Sequence, residues 1–234
     1  MGVIIYTILS VIIVSLISLL GIVFFLLQKS TLKKTLLFLV SLSAGSLFGG
    51  ALLHLLPEAI EKSGFTLTVS LSVLSGIIVF FLIEKYVHWH HCHDPECGGH
   101  KHHLVVMNLV GDGVHNFIDG LIIAVSYIAS IPLGIATTIA VILHEVPQEI
   151  GDFGVLLYSG LKKSKALFYN LLSALLAIVG AIVGLTFASE TFISLIIPFA
   201  AGGFIYIAGS DLIPELHKEC GPKDSFWHIF ALLL

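Results

Sequence analysis

The chain has 234 residues, of which 57% are hydrophobic and only 11% are charged, and its mean hydropathy is +1.04. Because soluble domains use about 25% charged residues, this composition excludes an ordinary soluble protein and indicates a membrane protein with several crossings. The formal net charge of -4 at pH 7 points to no charged partner such as nucleic acid, because the charged residues are sorted between the two sides of the membrane.

Apolar segments of about twenty residues, the length that crosses a bilayer as a helix, recur along the whole chain. In chain order they cover residues 3–27, 35–57, 66–84, 104–129, 132–158, 166–188 and 191–213. An eighth begins at Ser225, and its sequence SFWHIFALLL spans about 15 Å, half of a hydrocarbon core of about 30 Å. We therefore predict an all-α, polytopic membrane helical bundle of eight transmembrane helices, the last one incomplete in this chain, with residues 1–234 forming a single domain.

The lysines predict which side of the membrane each loop occupies. All 11 basic residues are lysines, and only Lys62 falls on the side opposite to the others. Since basic loops face the cytoplasm, the N-terminus is predicted to lie outside, in a plasma membrane or a bacterial inner membrane. The first apolar segment is longer than a signal-peptide core and is followed by no small-residue cleavage pattern, so we expect it to be retained. The cysteines fall in cytoplasmic loops, where a disulfide framework is not expected.

Two segments of the chain resemble each other. SAGSLFGGALLHLLPE (43–58) aligns without gaps on AAGGFIYIAGSDLIPE (200–215), and the predicted topology makes the two helices run in opposite directions. Similar sequence in opposite orientation is typical of inverted repeats, here helices 1–3 and 6–8 around helices 4 and 5. The alternative is a chance match between two helices that are rich in glycine and alanine and end in Pro-Glu.

Polar residues form a stripe on each of the two central predicted helices. Their steps of three and four residues keep each set on one helix face. At 1.5 Å per residue, His115 and His144 both lie about 16 to 18 Å into the membrane, so the stripes are expected to meet near its middle. The stripes consist of Asn108, Asp112, His115, Asn116 and Asp119 on helix 4, and of His144, Glu145, Gln148, Glu149 and Asp152 on helix 5.

The carboxylates of these stripes require compensation. If the five faced lipid, at about 3 kcal/mol each, they would cost about 15 kcal/mol. Neither helix contains a lysine or arginine between the first and last stripe residues, so a cation must supply the missing charge unless several carboxylates are protonated. Imidazole mixed with carboxylate and amide oxygens suits Zn²⁺ better than Mg²⁺ or Ca²⁺. The alternative is that the polar groups only hold helices together through hydrogen bonds.

Pro147 interrupts the hydrogen bonding of the fifth helix. Proline has no N–H, so the carbonyl of Leu143 loses its partner in the helix. A membrane tolerates a free carbonyl only where it is buried in protein or lines a cavity. We expect this carbonyl to line a cavity.

The motifs HNFIDG (115–120) and HEVPQEIGDF (144–153) resemble the signature sequences of the fourth and fifth helices of ZIP (Zrt/Irt-like) metal-ion transporters. GGALLHLLPEA, NLLSAL and AGGFIYIAGSDLIPEL resemble other helices of that family, so the resemblance covers much of the chain. It implies eight helices, outward termini, an inverted repeat and one transporter domain that imports zinc or related divalent metals into the cytoplasm.

Residue by residue, the resemblance suggests one metal site formed by His115, Asp119, His144 and Glu149, with Gln148 adjacent or contributing. Many relatives carry a second histidine at the position of Gln148, so the departure bears on metal selection.

The resemblance also suggests a neighbouring second site, formed by Asn116 and Glu145 with Asp119 and Glu149 shared. Some bacterial relatives place a further glutamate on helix 6, where this chain has Ala177. That departure puts the second site in doubt.

Acidic residues on the cytoplasmic side of the central site suggest an exit path. Asp112 and Asp152 lie one or two turns below the site, and Asp211 lies near the cytoplasmic end of the seventh helix. The alternative is that these are solvated charges at helix ends.

The one sizeable loop, residues 85–103, is rich in histidine and reads KYVHWHHCHDPECGGHKHH. Its composition predicts a cytoplasmic segment that is unstructured without metal, accepts or senses imported metal, and is not essential for transport. The alternative is an inert solvated loop. Its candidate ligands are His90, His91, Cys92, His93, Cys97, His100, His102 and His103.

The leading hypothesis is a transporter that moves Zn²⁺ inward by alternating access, with Fe²⁺, Mn²⁺, Co²⁺ and Cd²⁺ as further candidates. Its partners would be the metal ion and the lipid bilayer, with a homodimer as an option. An alternative is an intramembrane zinc metallohydrolase, in which zinc-bound water attacks a lipid or peptide bond. A third class is a metal exporter with a histidine-rich loop.

Overall fold

The computed structural model describes residues 2–21, 29–89, 100–217 and 222–233, which contain helices and no strand. Two of the helices contain a π-helical stretch. In chain order the helices are α1 (Gly2–Ile17), α2 (Lys29–Gly49, continued by π-helical Gly50–Leu55 and by Leu56–Ser63), α3 (Leu67–Trp89), α4 (His100–Ala129), α5 (Ile131–Tyr158), α6 (Lys163–Ala174 and Leu176–Thr186), α7 (Glu190–Tyr206, continued by π-helical Ile207–Leu212 and by Ile213–His217) and α8 (Pro222–Leu233).

Within the described residues, α2 to α7 are the six helices long and apolar enough to cross a membrane, and α1 is a shorter apolar helix. Their lipid-facing surfaces carry many exposed leucine, isoleucine and phenylalanine side chains, as a bilayer requires. The chain is therefore an integral membrane protein with several crossings.

The predicted segment 3–27 is interrupted within the described residues. Helix α1 ends at Ile17, a turn follows at residues 18 and 19, and residues 20 and 21 are again helical. Two side-chain hydrogen bonds accompany this end: the Ser18 hydroxyl donates to the carbonyl of Ser15 (2.8 Å), and the Asn170 amide donates to the carbonyl of Ser18 (3.3 Å). Side chains thus take over groups that a continued helix would pair internally. Residues 22–28 lie outside the described ranges.

The predicted loop 85–103 is too long at both ends. Helix α3 continues to Trp89 and α4 already begins at His100, so residues 85–89 and 100–103 are helical. The prediction was wrong there because helices extend wherever no breaker stops them. The breakers of this segment, Pro95, Gly98 and Gly99, all fall between those two ends.

The helices pack as two bundles. The first bundle consists of α1, α4, α5 and α6, and the second consists of α2, α3, α7 and α8. Within the first, α4 lies along α6; within the second, α3 lies along α7. The broadest contact between the two bundles joins α2 to α5. The central helices α4 and α5, which carry the polar stripes, both belong to the first bundle.

Helices α4 and α6 are in backbone contact. A Cβ added at Gly180 would lie 1.9 Å from the carbonyl oxygen of Phe117, and one added at Gly120 would lie 1.8 Å from that of Ala177. Without a hydrophobic force between helices in lipid, such close approach is a main source of helix association. The glycines therefore hold α6 against the helix that carries half of the polar residues.

The two segments that resemble each other in sequence also share local structure. The gapless alignment places Gly50 on Ile207 and Leu55 on Leu212, so the two π-helical stretches coincide. It also places Gly45 on Gly202. A Cβ at Gly45 would lie 2.1 Å from a backbone oxygen of α8, and a Cβ at Gly202 would lie 2.0 Å from a backbone oxygen of α3. Gly45 and Gly202, which the alignment pairs, thus each pack against the backbone of a helix, α8 and α3, and the predicted repeat pairs these two helices as well.

Replacing Gly180 by alanine is expected to lower the thermal stability of the purified protein. The added Cβ forces α4 and α6 apart, and overpacking of this kind costs about 1–3 kcal/mol. The matched control is Gly154→Ala on α5, where a Cβ meets nothing within 4 Å. Alanine favours a helix over glycine, so the control should unfold at the same temperature or above. Equal unfolding midpoints for the two variants would contradict the backbone contact.

Candidate metal site

The turn between α4 and α5 brings the two polar stripes face to face. Ser130 caps α5, its hydroxyl accepting a hydrogen bond from the N–H of Leu133 (3.3 Å), and Pro132 occupies the first turn. The chain therefore reverses directly after α4. His115 lies as many residues before this turn as His144 lies after it, to within one residue. The two histidines consequently lie at the same level.

Four buried side chains from these stripes form a compact cluster. His115, Asp119, His144 and Glu145 each offer one ligand atom, and these atoms all lie within 4.8 Å of one another. The Nε2 atom of His144 is 3.1 Å from the Nε2 atom of His115 and 3.1 Å from an oxygen of Asp119. Glu145 completes the group, with an oxygen 3.5 Å from Nε2 of His115 and 3.7 Å from Nε2 of His144.

A hydrogen bond to the backbone fixes the tautomer of His144. Its Nδ1 atom lies 3.0 Å from the carbonyl oxygen of Ala140. A carbonyl only accepts, so Nδ1 carries the proton and Nε2 presents its lone pair to the cluster. Among the described residues, the carboxylate oxygens of Asp119 and Glu145 receive no hydrogen bond. Lone pairs and negative charges thus converge on one point, an arrangement that only a cation or protons can stabilise.

The geometry of the cluster fits a four-coordinate divalent ion. Bonds of about 2.0–2.1 Å in a tetrahedral shell place neighbouring ligand atoms about 3.3 Å apart. Five of the six separations between the four ligand atoms span 3.1 to 3.7 Å, and the sixth, between Asp119 and Glu145, is within 4.8 Å. Two imidazole nitrogens and two carboxylate oxygens make a donor set typical of Zn²⁺, whereas Mg²⁺ and Ca²⁺ favour oxygen alone.

Two phenylalanines from the second bundle cover the histidines. The ring of Phe80 on α3 meets His115 edge-on, with centroids 5.8 Å apart, and the ring of Phe204 on α7 meets His144 with centroids 5.9 Å apart. Both phenylalanines are buried. They place an apolar wall against the cluster, which strengthens every electrostatic interaction inside it.

Glu149, Gln148 and Asn116 lie next to the cluster but contribute no atom to it. One oxygen of Glu149 accepts a hydrogen bond from the amide of Asn170 on α6 (2.5 Å). The amide of Asn116 donates to a carboxylate oxygen of Asp112 (2.8 Å). Gln148 lines a neighbouring cavity. In this structure Glu145 therefore lies with the two histidines and Asp119. Asn170 is the first residue of the NLLSAL segment, and the sequence analysis assigned it no role.

A cavity of about 330 Å³ leads away from the two histidines. Its polar lining comes from α3, α4 and α5, and includes Asp112 and Asp152 of the predicted exit path. Glu84 on α3, which the sequence analysis missed, also lines it and accepts a hydrogen bond from the hydroxyl of Tyr206. Asp211 belongs to the π-helical stretch of α7 beside the cavity, and its side chain lies outside the described part of the structure.

The carbonyl of Leu143, which was expected to line a cavity, accepts a hydrogen bond from a neighbouring helix. The hydroxyl of Ser43 on α2 donates a hydrogen bond that is shared between this carbonyl and the carbonyl of Leu39 on its own helix. Pro147 had removed the helical donor, and a side chain from the neighbouring helix replaces that donor. The bond therefore joins the second bundle to the first, one residue from His144.

The structure describes the side chain of none of the candidate metal ligands in the histidine-rich loop. The side chains of His100, His102 and His103 lie outside the described part, although their backbone forms the first turn of α4. The remaining candidates also lie outside the described residues: His90, His91, Cys92, His93 and Cys97.

The sequence matches a known family along its whole length. The family model described as "ZIP Zinc transporter" covers residues 1–105 and 90–234. The chain is 34% identical to the zinc transporter zipt-7.1 of Caenorhabditis briggsae, over 76% of this chain and 61% of that protein. It is 30% identical to the zinc transporter SLC39A7 of Canis lupus familiaris, over 86% and 62%. It is 32% identical to the zinc transporter ZIP13 homolog of Drosophila melanogaster, over 86% and 75%.

The chain thus spans about three fifths of the length of the first two relatives, 61% and 62%. The family and these relatives are all named as transporters, not as enzymes. The match argues against the metallohydrolase that the sequence analysis kept as an alternative.

Ser43→Ala is expected to destabilise the protein by about 1–3 kcal/mol, because it leaves the carbonyl of Leu143 without a donor inside the membrane. The control Ser41→Ala removes a hydroxyl that donates within its own helix, to the carbonyl of Leu37 (2.9 Å), and should cost less. Pro147→Ala supplies an N–H for the same carbonyl, so Ser43→Ala should cost less in that background. Unfolding midpoints measure the effect. An equal cost of Ser43→Ala in both backgrounds would refute the conclusion that Ser43 replaces the donor that Pro147 removes.

Proposed function

Because the chain belongs to the ZIP zinc transporter family, we propose that it carries a divalent metal ion, with Zn²⁺ as the preferred cargo, through the site between α4 and α5. The observation that carries this proposal is the convergence of two imidazole nitrogens and two carboxylate oxygens on one buried point. His115, Asp119, His144 and Glu145 would bind the ion halfway across the membrane.

The charge of this region supports a divalent cargo. Asp112, Asp119, Glu145 and Glu149 are all buried, and no lysine side chain among those described is buried with them. Several carboxylates in a medium of low dielectric repel one another and are costly to keep ionised. An ion of charge 2+ removes much of that repulsion at once. Because this repulsion returns when the ion leaves, the ion is released only where water or another cation can take its place.

A second, oxygen-rich position beside the cluster is part of the proposal. Asn116, Glu145 and Glu149 each keep a buried oxygen that receives no hydrogen bond from the described residues. Amide and carboxylate oxygens without nitrogen favour harder cations than the histidine cluster does. The two positions would share Glu145 and Asp119. A pair of sites with different donors would let one ion pass from nitrogen to oxygen ligands on its way.

We propose that the ion leaves towards the cytoplasm through the cavity lined by Asp112 and Asp152, with Asp211 at its inner end. The lysine distribution supports this orientation, with the N-terminus outside. A 2+ ion that enters a negative interior gains about 4.6 kcal/mol per 100 mV. Inward movement therefore needs little further coupling. The direction makes a plasma membrane or a bacterial inner membrane the expected location.

We also propose that residues 1–234 form one transporter domain of eight crossings with an inverted repeat. The coincidence of the π-helical stretches Gly50–Leu55 and Ile207–Leu212 supports the repeat, as do the matched contacts of Gly45 and Gly202. In such a repeat the central pair, α4 and α5, lies on the symmetry axis, where transporters bind their cargo. The two halves of the repeat could then pack in two equivalent arrangements, one open to each side of the membrane, and exchange between them would give alternating access.

Zinc uptake into zinc-starved cells is expected to fall nearly to background when His144 is replaced by alanine, because the cluster loses one of its two nitrogen ligands. The matched control is His228→Ala, a histidine on α8 in the second bundle and away from the cavity. It should transport as wild type does, at equal expression. Uptake by His144→Ala at the wild-type rate would refute the assigned site.

Competition in the same assay is expected to rank the cargo. Cd²⁺, Co²⁺ and Fe²⁺ accept imidazole nitrogen and should inhibit zinc uptake at comparable concentrations, with Mn²⁺ weaker. Ca²⁺ and Mg²⁺ should not inhibit even in large excess. Inhibition by Ca²⁺ at concentrations similar to those of Cd²⁺ would contradict a site that contains two histidines.

A further inference from the structure

Asn170 is a fully buried asparagine on α6 that uses both protons of its amide group. Its Nδ2 atom lies 2.5 Å from an oxygen of Glu149 and 3.3 Å from the carbonyl oxygen of Ser18. An amide nitrogen has two donors, so these two acceptors satisfy it completely. We propose that Asn170 is a positioning residue for Glu149, which fixes how that carboxylate faces the metal pathway. The inference rests on the proposed function.

The chemistry of the contact supports a positioning role. A donor to a carboxylate makes a comparatively strong hydrogen bond, and the amide of Asn170 donates such a bond to Glu149. The bond engages one oxygen of Glu149, and the other oxygen receives no hydrogen bond from any described residue although it is buried. One oxygen is thereby held and the other left as a ligand atom. Supporting hydrogen bonds of this kind typically change metal affinity by about 10- to 100-fold.

The position of Asn170 also explains how α6 takes part in the site. The resemblance to bacterial relatives singled out Ala177, whose carbonyl lies against Gly120 and whose side chain offers no ligand. Asn170 lies two turns earlier on the same helix and supplies a polar group there. It acts on the site by holding a carboxylate rather than by adding one.

The second acceptor of Asn170 ties this contact to the end of α1. The carbonyl of Ser18 lies in the turn that follows the end of α1 at Ile17. A shift of the turn at Ser18 would therefore pull on the same amide that holds Glu149. One side chain thus connects the end of a helix to a carboxylate of the metal pathway.

A nearby hydrogen bond provides a matched control. The hydroxyl of Ser15 donates to the carbonyl of Ala174 (2.8 Å), so it joins the same two helices, α1 and α6, without contact to Glu149. If Asn170 only held helices together, its removal would resemble that of Ser15. If it positions Glu149, its removal would change metal binding as well.

The experiment compares Asn170→Ala and Ser15→Ala with the wild type in liposomes, with Zn²⁺ as the probe. Asn170→Ala is expected to raise KM for Zn²⁺ uptake, and Kd for Zn²⁺ of the purified protein, by about tenfold or more. Ser15→Ala should keep both within about twofold of the wild type, even if both variants lose thermal stability. Should Asn170→Ala fail to fold, Asn170→Leu takes its place, since leucine keeps the shape and removes both donors.

A double-mutant cycle tests whether Asn170 acts through Glu149. In the Glu149→Gln background, Asn170→Ala should change Kd for Zn²⁺ by less than about twofold, because the carboxylate that it positions is gone. An unchanged Kd and KM for Asn170→Ala, or equal effects in both backgrounds, would overturn the inference and leave the proposed function standing. A wild type that neither binds nor transports Zn²⁺ would overturn the proposed function, and the inference with it.

Discussion

The structure depends on the need to compensate negative charge inside a membrane. Asp119 and Glu145 are completely buried, lie beside the imidazoles of His115 and His144, and receive no hydrogen bond from the described residues. Neither lipid nor packing can make such an arrangement favourable, so a cation or protons have to stabilise it. The rest of the first bundle follows from this requirement. Helix α6 lies in backbone contact with α4 and encloses the carboxylates, and the turn at Ser130 sets α5 beside α4 at a matching level.

A second constraint, the need to pair every backbone group within the membrane, determines how the site is connected to its surroundings. Pro147 leaves the carbonyl of Leu143 without a helical donor, and Ser43 from the other bundle supplies one. The carbonyl of Ser18 lies in the turn after α1, and Asn170 donates a hydrogen bond to it. In both cases an interruption of a helix near the polar stripes creates a hydrogen bond to another helix. These two irregularities of the fold are therefore places where hydrogen bonds join the region of the candidate metal site to the surrounding helices.

Local patterns account for what could be predicted from the sequence. Apolar length and the three-to-four residue step of the polar residues located the helices and placed His115 opposite His144, because both depend on composition and periodicity alone. Periodicity could not decide between Glu145 and Glu149, which are four residues apart and share a helix face. The difference comes from Asn170, a residue of another helix that binds Glu149. The donor for Leu143 and the π-helical stretches were likewise missed, because they depend on tertiary contacts that no local pattern encodes.

The division into two bundles bears on how a site at mid-membrane could open to each side in turn. All four residues of the cluster belong to α4 and α5 of the first bundle, whereas the second bundle places the rings of Phe80 and Phe204 against it. Under the proposed function, a shift of one bundle against the other would change the apolar wall and the cavity but keep the ligand distances. The hydrogen bond from Ser43 to Leu143 crosses the boundary one residue from His144, so such a shift has to break or exchange it. Because an unpaired carbonyl is costly in lipid, this one bond would contribute to the barrier between the two states.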